Sequence, residues 1–166
     1  MESVWYEFDR EAAAVETLEH AIDLFDAGKS PELILSVGHE AWQYFAQRAR
    51  PGKKGRSAKL ELVDVLKAEL GDGFDATWVR QRAEDVFDDL GRYEMRRSPA
   101  PLVRISARTP VCMLVCAIAD CRTVAGKVSE KLQDWRNRQI ERALQDCLFE
   151  PEVAARSSTI RAASKP

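Results

Sequence analysis

REAAAVETLEHAIDLFDAGKSPELILSVGHEAWQYFAQRAR, residues 10–50, decides the architecture. Ala14, Leu18, Ala21, Ile22 and Phe25 recur every three or four positions, the period of one face of an α-helix. Ile34, Val37, Gly38, Ala41, Trp42 and Phe45 repeat the pattern further on. Between the two stripes stand Gly28, which can take the left-handed backbone that closes a helix, and Ser30-Pro31, a cap followed by the residue favoured at a first helical position. Asp9 is placed to cap the first arm, with Glu11 in its positively polarised first turn. The segment reads as a hairpin of two helices, about 9–27 and 31–49, joined by a tight turn.

The remaining chain continues in helices. Pro51-Gly52 breaks the second arm, and Ser57 is placed to cap a third helix near 58–70, with Leu60, Val63, Leu66, Lys67 and Leu70 on one stripe. Asp75 caps a fourth, about 76–90, carrying Trp78, Val79, Ala83, Val86, Phe87 and Leu90, with Gly91 as its terminator. Residues 92–108 read as an irregular loop with a short extended piece at 102–105. Thr109-Pro110 then supplies a cap and a first-turn proline for a helix that is apolar nearly all round as far as Ala119, the mark of a central, buried element. Gly126 is placed to kink or interrupt it. A last amphipathic helix, 127–148, carries Val128, Leu132, Trp135, Ile140, Leu144 and Leu148, and Pro151 is expected to stop it. The expectation is an all-α fold: a compact up-and-down bundle of five to six helices in one domain, 1–150, followed by a mobile tail, 151–166.

The 166 residues are 45% hydrophobic and 31% charged, an ordinary globular balance long enough to bury a core without metals or disulfides. No basic leader precedes an apolar stretch, and the longest apolar run, Val111 to Ala119, is far shorter than the roughly 20 residues that cross a bilayer. A cytoplasmic protein away from membranes is expected. Cys112 and Cys116 share a helical face at a spacing too wide for an unstrained disulfide. With Cys121 and Cys147 they read as buried, reduced thiols. No cofactor and no metal site is expected.

The net charge of −2 conceals an uneven distribution. Arg48, Arg50, Lys53, Lys54, Arg56 and Lys59 form a run without an intervening acid, and Arg96 and Arg97 anchor a second basic stretch with Arg92, Arg104, Arg108 and Tyr93. These are the candidate polyanion-binding residues, since clustered cations meet phosphates. The competing reading is a pair of solvated connectors between acidic helices. His20 and His39 both point away from the core stripes of their helices. They read as exposed, with a cluster of Glu16, His20, His39 and Glu40 as the sharper alternative. The acids Glu84, Asp85, Asp88 and Asp89 read as a solvated helix face. Neither a G-x-S-x-G elbow nor a P-loop is present, and no catalytic residue is assigned. Leu132, Trp135 and Ile140 on the narrow stripe of the last helix either cap the domain's own core or form a partner interface with an aromatic anchor.

Residues 18–50, through Leu24-Phe25-Asp26-Ala27-Gly28 and Ser36-Val37-Gly38-His39-Glu40-Ala41, resemble the first helical hairpin of HEPN-like proteins. ISARTPVCMLVCAIADCRTVAG, 105–126, looks like that family's buried core helix. The resemblance implies a helical bundle that commonly dimerises. Active members are RNases with an arginine a few residues before a histidine. Here the corresponding positions are Ala13, Ala14 and Val15 before His20, and Glu32, Leu33 and Ile34 before His39, so the nuclease activity does not carry over. The leading expectation is a non-catalytic interaction protein that forms a homodimer. The alternatives are a nucleic-acid-associated protein using the basic connectors, and a small-ligand binder with a pocket among Trp42, Trp78, Cys112 and Cys116.

Overall fold

Six α-helices and no strand make up the described residues: α1 (Arg10–Asp26), α2 (Pro31–Ala49), α3 (Ala58–Leu70), α4 (Ala76–Glu94), α5 (Thr109–Ala125) and α6 (Glu130–Ala163). The computed structural model of the chain describes residues 6–51, 58–94 and 104–163, with backbone alone at 58, 94 and 147–163. The architecture is the all-α bundle expected from the periodicity.

The hairpin forms as its punctuation dictates. The Asp9 carboxylate accepts from the backbone N–H of Glu11 and Ala12, and the Ser30 hydroxyl accepts from Leu33. Gly28 sits at φ 66, and its N–H and that of Lys29 return to the carbonyls of Phe25 and Leu24, which satisfies the end of α1. Asp75 caps α4 through the N–H groups of Thr77 and Trp78, both at 2.9 Å.

α5 is the axis of the bundle. It packs most extensively on α2, and also against α1, α3, α4 and α6. Every residue from Met113 to Cys121 is buried. Gly38 on α2 explains the closeness of that packing. A Cβ there would lie 2.7 Å from the Met113 terminal methyl and 2.9 Å from a Leu114 methyl, so two α5 side chains occupy the space a larger residue would fill.

Several local expectations are corrected. Gly91 does not end α4, which continues to Glu94; a glycine inside a helix costs only about 1 kcal/mol, which packing readily offsets. Thr109 is not the cap of α5 but its first residue, and no side chain caps that helix. The Thr109 hydroxyl donates instead to the buried carboxylate of Asp89. Gly126, at φ 73, closes α5 rather than kinking it. α6 does not stop at Pro151, and its backbone stays helical to Ala163 through a stretch rich in good helix formers. In α3 the buried side chains are Leu62, Val63 and Leu66, whereas Leu60 is exposed. Of the expected extended piece at 102–105, residues 102 and 103 lie outside the described residues and 104–106 form no strand.

Leu132 and Trp135 are 0% exposed, so they serve the chain's own core and are not a partner interface. Trp135 meets Phe25 of α1 edge to face, with ring centroids 5.3 Å apart. Ile140 is half-buried against the same core. The stripe on α6 is narrow because two large side chains suffice to seat it between α1 and α5.

Candidate functional site

An open cleft of about 430 Å³ lies between α2, α3 and α4. α2 supplies one wall through His39, Trp42 and Arg50. Glu61 and Leu62 of α3 border it, and Phe87 and Leu90 of α4 also line it. Tyr93 of α4 lies near His39 of α2, with ring centroids 6.3 Å apart.

A buried carboxylate organises this wall. Asp120 of α5, its side chain 5% exposed, accepts two hydrogen bonds from the Arg50 guanidinium, both at 2.8 Å. It also accepts one from Trp42 Nε1 at 3.1 Å. Burial pushes the Asp120 carboxyl above its ordinary range, and the Arg50 charge and the two hydrogen-bonding partners draw it back in part. The fork-to-fork geometry fixes the guanidinium, and the Nε1 bond fixes the indole plane. Arg50 reaches Glu61 at 3.9 Å as well, so the cleft floor ties α2, α3 and α5 together. Phe87, which is 43% exposed, lines the same cleft as Trp42 rather than belonging to the core stripe expected of it.

Two further carboxylates lock the bundle. Asp89 accepts from the Ser106 N–H at 2.8 Å and from the Thr109 hydroxyl at 2.5 Å, joining α4 to the start of α5. It is therefore buried, not part of a solvated acidic face. Glu69 of α3 receives Arg122 of α5 and Arg136 of α6, the latter at 2.5 Å.

Of the candidate polyanion-binding residues the structure describes Arg48, Arg50 and Lys59. Arg50 is consumed by Asp120 and Glu61, and Lys59 pairs with Glu84 at 3.4 Å. Arg48 is exposed and lies over the Tyr44 ring, 3.6 Å from its centroid. Lys53, Lys54, Arg56, Arg96 and Arg97 lie outside the described residues. His20 is exposed as expected, but His39 is half-buried and tilted against Trp42, with centroids 5.9 Å apart. Among the described residues no group of three His, Cys, Asp or Glu side chains could hold a metal ion, so Glu16, His20, His39 and Glu40 do not form a metal-holding group.

The pocket expected among Trp42, Trp78, Cys112 and Cys116 does not exist as one space. Trp42 lines the α2–α3–α4 cleft, Trp78 and Cys112 line a different cavity, and Cys116 is fully buried. Cys112, Cys116 and Cys121 are free thiols. Burial pushes Cys112 and Cys121 up to about 11 and Cys116 well above its ordinary value. All three stay protonated near neutral pH and are poor nucleophiles.

Sequence reasoning missed Asp120, although a signal was present. A lone acid in an otherwise apolar helix needs a cation, because an unpaired buried charge is too costly to keep. Arg50 is the cation that α2 delivers. Among the described residues no helix is long and apolar enough to cross a membrane. Comparison with protein-family models, with curated proteins and with solved structures gave no match.

Proposed function

We propose that this chain is a non-catalytic binding domain whose α2–α3–α4 cleft holds a small, flat, largely apolar ligand with a polar edge. One observation carries the reading: the Trp42 indole is pinned by Asp120 yet lines an open cleft that Phe87 also lines. A cleft of about 430 Å³ suits a ligand of a few fused rings, within the usual size of small-molecule sites. The pinned ring has little freedom left to lose on binding, which favours affinity. Gln43 and Gln47 border the same space and offer amide donors and acceptors to the ligand's edge.

Ligand-observed NMR with indole, benzimidazole and adenine as probes tests this. At least one should bind saturably and perturb the Gln43 and Gln47 side-chain amides. Phe87→Arg alters a partly exposed residue that the core does not need, and it should abolish that binding. Failure of all three probes, or binding that survives Phe87→Arg, refutes the reading.

An interaction protein that dimerises is the second reading, in keeping with the resemblance to HEPN-like bundles. Tyr6 and Phe8, 87% and 72% exposed, favour it as apolar side chains without cover in the monomer. Light scattering across the micromolar range decides it, and a constant monomer mass removes it. The polyanion reading retains Arg48 and the basic residues outside the described segments.

A further inference from the structure

A second cavity, of about 170 Å³, lies between the start of α4, the start of α5 and the middle of α6. Its lining is rich in hydrogen-bond donors, with the Asp146 carboxylate beside them. Arg82, Arg108 and Arg142 come to it from three different parts of the fold, and Gln139 forms part of its buried side. Arg82 pairs with Asp85 at 3.3 Å and Arg108 with Asp146 at 3.7 Å. Three guanidinium groups thus converge on one small cavity, two of them held in ion pairs at its edge.

Two donors at this place are buried without an acceptor: Arg82 Nε and Gln139 Nε2. Gln139 is only 4% exposed, so its amide cannot turn to bulk water. A buried donor with no partner is destabilising, and proteins rarely keep one without use. An apolar group of the shape of the Gln139 side chain would avoid that cost. The first turn of α5 adds to the same field. No side chain caps it, and Arg108, Val111 and Cys112 from that turn line the cavity. The positive end of a helix dipole therefore reinforces the guanidinium groups. Trp78 and Ala143 add apolar surface to the lining, enough to hold a small organic body beside a charged head.

We propose that this cavity binds a small oxyanion, the phosphoryl or carboxylate group of a metabolite-sized molecule. The anion accepts from Arg82 Nε and Gln139 Nε2 and is neutralised by Arg142 and the α5 terminus. The site is separate from the α2–α3–α4 cleft and does not depend on the reading given to it.

Thermal unfolding and isothermal titration of the full chain test the proposal, with inorganic phosphate and with acetate, each against chloride at equal ionic strength. Phosphate or acetate should raise the melting temperature saturably and beyond chloride, and the one that acts identifies the head group. Gln139→Leu removes the orphaned donor and keeps the volume. It should unfold at the same or a higher temperature while binding the anion about tenfold more weakly, the loss expected for a hydrogen bond to a charged group. Arg142→Gln, on an exposed residue, should weaken binding without changing the fold. Phe87→Arg in the distant cleft should leave anion binding intact. Two outcomes overturn the proposal: no response beyond chloride for either anion, or a response that Gln139→Leu leaves unaltered.

Discussion

Replacing Arg50 by methionine should destabilise the protein far more than replacing Asp120 by asparagine. The asymmetry follows from burial. The Arg50 side chain is 21% exposed and keeps Glu61 at 3.9 Å when Asp120 loses its charge. Asp120, 5% exposed, keeps only the Trp42 bond when Arg50 is gone. Removing one partner of a buried pair typically costs 3–5 kcal/mol, because the other charge is stranded. Asp120 can escape by taking a proton, so about 3 kcal/mol is expected for Arg50→Met near neutrality. Asp120→Asn keeps an acceptor for Trp42 and should cost about 1 kcal/mol. In a chain of this length these losses correspond to melting-point falls of roughly 6–12 °C and 2–4 °C.

The pH dependence provides a sharper discrimination. The folded-state pKa of Asp120 is raised above its unfolded value, so the folded chain binds more protons in the interval between them. Stability from this group therefore falls as pH rises through that interval and is regained as pH drops. Without Arg50 the raised pKa climbs further. The deficit of Arg50→Met should shrink on acidification from neutral pH towards about 5, whereas that of Asp120→Asn should not, since the amide does not titrate in this range. Urea denaturation of both variants and of Arg50→Met/Asp120→Asn across that range gives the measurement. Equal losses for the two single variants, or a pH-independent loss for Arg50→Met, would show that Asp120 is not a stranded charge and sink the account of the cleft floor.

Trp135→Ala should cost about 3–5 kcal/mol by opening a cavity beneath α6. Trp135→Phe should cost less than about 1.5 kcal/mol, because it also deletes an indole N–H that has no acceptor; equal denaturation midpoints would contradict this. At about pH 8, Cys112 and Cys116 should resist iodoacetamide in the folded chain and react once it is unfolded, since burial holds both thiols protonated. Mass-spectrometric mapping of the labelled sites checks it, and rapid native labelling of Cys116 would refute the assigned burial.

How far the sequence could be read depended on the range of the interaction. Asp9, Gly28, Ser30-Pro31 and Asp75 act within a few residues, and each does in the structure what local chemistry expects of it. The apolar run of α5 identified the central helix. Residues whose role depends on distant partners were less legible. Asp120 meets Arg50 across seventy positions, and Glu69 meets Arg136 across sixty-seven. Periodicity assigned Phe87 and Leu60 to the core because it sees hydrophobicity and spacing but not which helix arrives opposite. The same limit left Leu132 and Trp135 open between core and interface until Phe25 was seen against the indole. The donor-rich cavity was invisible in the sequence, since Arg82, Arg108, Gln139 and Arg142 share no motif.

The central place of α5 has a consequence for synthesis on the ribosome. α2 hides Ile34, Leu35 and Phe45 in the core, and its most extensive packing is against a helix that begins only at Thr109. The opening hairpin therefore emerges with its greasy side uncovered and must wait for some eighty further residues to be translated. During that interval it is exposed to self-association or in need of a holding chaperone. A slow codon cluster placed before α5 would lengthen that vulnerable wait, and one placed after it would not.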